Sequence, residues 1–220
     1  MRLFVIRHGQ GLNNIGKADI PDCALTSLGE RQVRRIPVFF RKIHVDRIYC
    51  SPLVRTIRTA TPLAEAKGLP IMLVPELSEH FNGNRPHYGT YAWESYGSIT
   101  AKHPHTKFVE RDDPQLAWWP KWPESLKQVD RRVRRFFRTD LKPLLATDKN
   151  IVVVGHGVST ASLKRLICPR GVYPAIPGPG DTNAVIYEYH LNAQGRCVEY
   201  GMHTKHIRDC LSPKRTAKKK

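Results

Sequence analysis

The chain has 220 residues, 40% of them hydrophobic and 25% charged, the composition of one globular domain with its own core and not of a disordered chain. Its 36 Lys and Arg against 19 acidic residues leave a net charge of +17, a surplus that favours polyanionic partners such as phosphate ligands, nucleic acid or an anionic membrane face. The longest apolar runs are short, as in Ile151–Val154, so no segment is expected to span a membrane.

Leu3–Ile6 reads as a first strand ending at Arg7. It follows Arg2 directly, with no signal-length apolar stretch and no cleavage site, so a secretory leader is not expected. A Gly/Asn-rich loop follows (Gly9, Gly11, Asn13, Asn14, Gly16). Ser27-x-x-Glu30 has the form of a capping box and opens a helix running through Val33 to Phe40, which Pro37 should kink or end early. Arg47–Cys50 reads as a second strand. Ser51-Pro52 starts a helix to about Lys67, closed by Gly68 and Pro70, and Ile71–Val74 reads as a third strand.

From Phe81 to Pro123 no clean period is visible among the Gly, Pro, His and aromatic residues, and 81–123 reads as an insertion or lid over one face. A helix is expected from about Glu124 to Leu145. There Leu126, Val129, Val133, Phe136, Phe137, Leu141 and Leu144 form an apolar arc, and Lys127, Arg131, Arg134, Arg135 and Arg138 a basic one. Ile151–Val154 is a buried strand, Gly155-His156-Gly157 ends it, and a helix runs on to Cys168. Ala184–Tyr189 and Val198–Met202 are two late strands around a Gln194-Gly195 turn.

Strands alternating with helices define an α/β protein, a three-layer α/β/α sandwich around a mostly parallel sheet. The expected organisation is a single domain over 1–212 and a basic, disordered tail over 213–220. The cysteines (Cys23, Cys50, Cys168, Cys197, Cys210) are odd in number and in no C-x-x-C pattern, which fits a reduced cytoplasmic or nuclear location.

Ligands of such sheets bind outside the carboxyl ends of the strands. Four segments bring reactive residues to that rim: Arg7-His8, Ser51 to Arg58, Glu79 and His156. Arg55 and Arg58, three apart near a helix N-terminus, suit a phosphate, although Arg58 fits a solvated helix face at least as well. Glycines beside His8 and His156 allow close backbone approach to a ligand.

Together these segments resemble the histidine phosphatase superfamily, which includes the cofactor-dependent phosphoglycerate mutases. The family's R-H-G-x-x-x-x-N is matched by Arg7, His8, Gly9 and Asn14, and its L-T-x-x-G-x-x-Q by Leu25, Thr26, Gly29 and Gln32. Its S-x-L-x-R-(A/T)-x-x-T-A is matched by Ser51, Leu53, Arg55, Thr56, Thr59 and Ala60. The mutases' L-N-E-R-H-Y-G is echoed over Leu77–Gly83, and V-x-H-G by Val154, His156 and Gly157. The resemblance covers about 1–83 and 150–189, and implies a phosphoglycerate mutase-like fold with the insertion over the active-site face. The opening R-H-G-Q-G also resembles mutase-like proteins of fungi and plants, but Asn13 stands where that subgroup has His.

The resemblance implies that His8 attacks phosphorus and becomes a phosphohistidine, with no metal and no cofactor needed. Arg7, Asn14, Arg55 and His156 would hold the phosphoryl oxygens, with Gly157 and Arg58 beside them. Glu79 would protonate the leaving oxygen and then take a proton from water. Glu76 is its nearest competitor, and spacing from Leu77 and Gly83 favours Glu79. The leading expectation is therefore a metal-independent phosphomonoesterase. A phosphoglycerate mutase, primed by 2,3-bisphosphoglycerate, is the alternative. It is disfavoured because Gly89–Glu94 lacks the G-L-N-K-A-E-type stretch of the mutases. A basic nucleic-acid-binding or scaffold protein on the same fold is the third, recognised by steep salt dependence.

The substrate's identity and the oligomeric state are not written in the sequence. Trp118, Trp119 and Trp122 read as a small core of the insertion more readily than as a stacking platform. His203, His206 and Cys210 have loose metal-like spacing, and a solvated face fits them better. Basic residues of the insertion (Arg85, His87, Lys102, His103, Lys107, Arg111) are better placed than the tail to meet a substrate's non-reacting end. The tail itself (Lys214, Arg215, Lys218, Lys219, Lys220) reads as a nuclear signal or a nucleic-acid arm.

Overall fold

Continuous apolar runs mark the centre of the sheet, because a strand covered on both faces has no polar side to show. The computed structural model describes residues 1–111, 118–168 and 183–210. Its strands are β1 (Arg2–Arg7), β2 (Arg47–Cys50), β3 (Ile71–Leu73), β4 (Thr106–Phe108), β5 (Asn150–Gly155), β6 (Ile186–Leu191) and β7 (Cys197–His203). They form one sheet in the order β4-β3-β2-β5-β1-β6-β7. The first five pair in parallel, and β6 and β7 close the sheet antiparallel. Leu3–Ile6 of β1 and Ile151–Val154 of β5, paired in register at the centre, are entirely or almost entirely buried.

The helices are α1 (Ser27–Val33), α2 (Ile36–Phe39), α3 (Val54–Lys67), α4 (Tyr96–Lys102), α5 (Leu126–Phe136) and α6 (Gly157–Ile167). Helices α1 and α2 pack on α3, and α5 packs on α6. The result is the expected mixed α/β layering around a mostly parallel sheet. No described helix is long and apolar enough to cross a membrane.

Several boundaries differ from those expected. The cap of α1 is Thr26, whose Oγ1 accepts from Gly29 N at 3.0 Å; Ser27 is the first helical residue, and Glu30 pairs with Arg58. Helix α1 ends before Pro37, which instead sits in the first turn of α2, where its missing N–H costs nothing. The helix expected over Glu124–Leu145 is three pieces: α5, a π-helical turn over Phe137–Leu141, and a 3-10 turn over Lys142–Leu144 that contains Pro143. Leu126, assigned to the apolar arc, begins α5 and is exposed. The insertion has regular structure of its own. It supplies α4 and the edge strand β4, where Ile71, Met72 and Leu73 pair with Thr106, Lys107 and Phe108. The basic tail lies outside the described residues.

The aromatics of the insertion pack on one another. Trp93 stacks between Phe81 and Trp119 and meets Trp118 edge-on. Trp118 is buried and donates its indole N–H to Glu94 O at 2.7 Å. The basic residues here largely meet carboxylates: Arg85 and His87 pair with Asp19, and Lys102 with Glu94. Arg111 bridges Glu76 and Asp140. On the opposite side His203 pairs with Glu188, and His206 Nε2 lies 3.0 Å from Ala184 O. Cys210 is buried, so the three residues do not form one solvated face.

Candidate active site

The ladders of the parallel strands run one residue past their ends and so place the rim residues side by side. His8 N donates to Gly155 O at 3.0 Å, Ser51 N to Val154 O at 3.0 Å and Val74 N to Cys50 O at 2.7 Å. Arg7 thus ends β1 abreast of Gly155, with His8, Ser51 and His156 immediately beyond.

His8 is buried, and its Nδ1 lies 2.7 Å from Gly9 O. A carbonyl can only accept, so Nδ1 carries the proton and Nε2 the lone pair. Burial, then the charges of Arg55 and Arg7, hold the imidazole well below the usual histidine range, so it is neutral at physiological pH. The His156 ring lies 5.2 Å from that of His8, centroid to centroid. Its Nε2 is 2.8 Å from Ser51 Oγ, and its buried Nδ1 has no partner among the described residues. Burial and the neighbouring cations push its pKa well down too.

The loop after His8 is braced by the motif residues. Gly9 N donates to Thr59 Oγ1 at 3.0 Å, and Thr59 Oγ1 donates to Arg55 O at 2.6 Å. Gln32 Oε1 accepts from Gln10 N at 2.8 Å, while its Nε2 donates to Cys210 O. Asn14 Oδ1 accepts from Gly11 N at 2.9 Å, which leaves its Nδ2 as the donor it can offer an anion. Asn183, which the sequence did not single out, joins this loop. Its Nδ2 donates to His8 O at 2.8 Å and to Asn14 Oδ1 at 3.3 Å.

Arg55 and Arg58 separate cleanly. Arg55 is 2% exposed, anchored by Nη1 on Pro21 O at 2.7 Å, with Nε unpartnered among the described residues. Arg58 is exposed and paired with Glu30 at 2.8 Å, outside the cluster. Glu79 Oε1 accepts from His80 N at 2.8 Å and from Val158 N, in the first turn of α6, at 3.2 Å. Its other oxygen turns toward Gly157: a Cβ built there would lie 3.7 Å from Glu79 Oε2 and 3.9 Å from Arg7 Cζ. Glu76, the competing carboxylate, is taken by both nitrogens of the Arg111 fork at 2.7 and 3.1 Å. The rim therefore gathers Arg7, His8, Arg55, Glu79, His156 and Gly157. Two guanidinium groups and two neutral imidazoles around one carboxylate suit a phosphoryl dianion.

This is an α/β protein with its candidate site at the carboxyl ends of a parallel sheet. Residues 3–196 match the model of the histidine phosphatase superfamily (branch 1), and the chain belongs to that superfamily. It is 29% identical over 180 residues to the adenosylcobalamin/alpha-ribazole phosphatase of Escherichia coli (strain K12), covering 76% of this chain and 79% of that protein. It is 25% identical over 165 residues to the 2,3-bisphosphoglycerate-dependent phosphoglycerate mutase of Cytophaga hutchinsonii, covering 73% and 74%. The solved structure of Bacillus stearothermophilus YhfR matches with a TM-score of 0.62 over 89% of this chain and 93% of that one, at 18% identity, a likeness of fold. The relatives include both phosphatases and mutases.

Proposed function

We propose that the chain is a phosphomonoesterase that works through a phosphohistidine on His8. The observation that carries this reading is the 2.7 Å contact of His8 Nδ1 with Gly9 O, which leaves Nε2 as a lone pair among cationic side chains. In the first step Nε2 attacks phosphorus and the P–O ester bond breaks, with the Glu79 proton passing to the leaving oxygen. In the second, water attacks the phosphohistidine, Glu79 takes its proton, and inorganic phosphate leaves with His8 restored. Arg7, Arg55, His156 and the Asn14 amide hold the phosphoryl oxygens through both steps. No metal or cofactor takes part.

Phosphate release from a panel of phosphomonoesters, with and without EDTA, tests this. The rate should survive EDTA and fall to background in His8→Ala. The mutase relatives favour a second reading, in which the phosphoryl group returns to substrate. That reading predicts transfer to 3-phosphoglycerate after priming with 2,3-bisphosphoglycerate, with little release to water.

A further inference from the structure

Glu79 lies in a segment that no strand or helix holds. The 3-10 turn over Pro75–Leu77 ends at Ser78, and Ser78–Asn82 has no regular structure. A carboxyl that must meet a leaving oxygen within hydrogen-bond reach needs its backbone fixed.

One side chain of α5 does this. Arg132 Nη1 donates to Glu76 O at 2.6 Å and to Ser78 O at 2.7 Å, and Nη2 donates to Glu79 O at 3.0 Å. The other donors go to Glu124: Nε to Oε1 at 2.7 Å and Nη2 to Oε2 at 3.0 Å. All five N–H donors of a guanidinium are thereby used. Glu124 is buried and ties back to the same segment. Its N donates to Phe81 O at 2.9 Å, and His80 Nε2 lies 2.7 Å from its carbonyl. Three carbonyls within four residues converge on one cation, so the backbone at Glu79 has one position relative to α5. From there the Glu79 carboxylate reaches Val158 N at the start of α6.

We propose that Arg132, held by Glu124, is a positioning residue for the proton donor: it sets the Glu79 carboxyl against the leaving oxygen without touching the substrate. The inference rests on the reading of Glu79 as that donor. A lysine cannot replace it, because an ammonium has three donors and no planar fork.

The test uses two aryl esters of similar shape, phenyl phosphate with a poor leaving group and p-nitrophenyl phosphate with a good one. Only the first needs a proton donor. The readout is kcat/KM, which covers the steps through phosphoryl transfer to His8. Glu79→Gln should lose about a hundredfold or more on phenyl phosphate and far less on p-nitrophenyl phosphate. Arg132→Lys should reproduce the same split, with at least about a tenfold loss on phenyl phosphate and less than about threefold on the other. The double variant Arg132→Gln with Glu124→Gln removes the clamp without stranding the buried carboxylate, and should show the split as well. If the Arg132 variants lose both activities equally, or neither, while Glu79→Gln shows the split, the positioning role is wrong and the donor assignment stands. If Glu79→Gln shows no split, the donor assignment falls and this inference with it.

Discussion

Asp22 accepts a hydrogen bond from Val54 N at 2.7 Å, at the start of α3, and lies within electrostatic reach of Arg55. Burial outweighs both and raises its pKa to about 6. A carboxyl whose pKa is higher folded than unfolded stabilises the fold when protonated. That contribution is complete below the unfolded value of 3.8 and is lost as pH rises through about 6. Asp22→Asn keeps an oxygen for Val54 N and cannot ionise. Its unfolding free energy relative to wild type, from denaturant titrations, should be higher at about pH 8 than at about pH 4, by up to about 2 kcal/mol. An equal difference at both pH values would contradict this. At this scale the sequence showed residue type and place well. Arg7, His8, Arg55, Glu79 and His156 stand just past strand ends or at a helix start, and their chemistry has few other uses there. It ranked Arg55 above Arg58, for which a solvated face fitted at least as well, but could not exclude Arg58, because helical phase decides which of two arginines points inward. Nor could it find Arg132 or Asn183, which act through backbone carbonyls and leave no pattern of residue types.

Gly29 belongs to α1, where helix propensity alone says that alanine should stabilise by about 0.5–1 kcal/mol. The contact says the reverse. The place of a Cβ on Gly29 is already occupied by Gln10 O, in the loop that carries the Gly9 carbonyl bound to His8. Gly29→Ala should therefore destabilise by about 1–3 kcal/mol in a denaturant titration and lower turnover by displacing that loop. A stabilised variant would show that the loop yields freely. The Leu25–Gln32 motif thus serves as a brace for the loop that follows His8, a role visible only once α1 is set against it. Elements were legible where a continuous apolar run marked a buried strand, as in β1 and β5, or where start and stop residues bracketed a helix, as in α3. Strand β4 was not, since Thr106–Phe108 is too short to show alternation and its strand character comes from pairing with β3. The long helix before β5 kept its apolar arc across a π turn and Pro143, so the pattern outlasted the α-helix.

The whole molecule concentrates buried, uncharged histidines and guanidinium groups at one rim. His8 and His156 both have folded pKa values well below 6.5, so the unfolded chain takes up protons first as pH falls. Their contribution is complete above about pH 6.5 and declines below it by up to about 1.4 kcal/mol per pH unit for each histidine. The loss of stability between about pH 7 and pH 5 should be shallower in His156→Gln than in wild type. Parallel slopes would mean that His156 titrates alike in both states. The parallel pairing that builds this rim follows from the βα alternation read in the sequence, whereas the order of the strands is seen only in the sheet itself. Which ligand the rim takes is not legible there, because the insertion packs on its own aromatic core and its basic side chains are held in ion pairs. In the proposed mechanism His8 carries the phosphoryl group. Its most direct test is a rapid-mixing experiment with p-nitrophenyl phosphate, stopped in alkali, in which phosphohistidine survives. A phosphohistidine on His8 predicts a burst of p-nitrophenol approaching one equivalent and phosphate attached to His8, both absent from His8→Ala. Undiminished turnover by His8→Ala, or phosphate found on another residue, would contradict it.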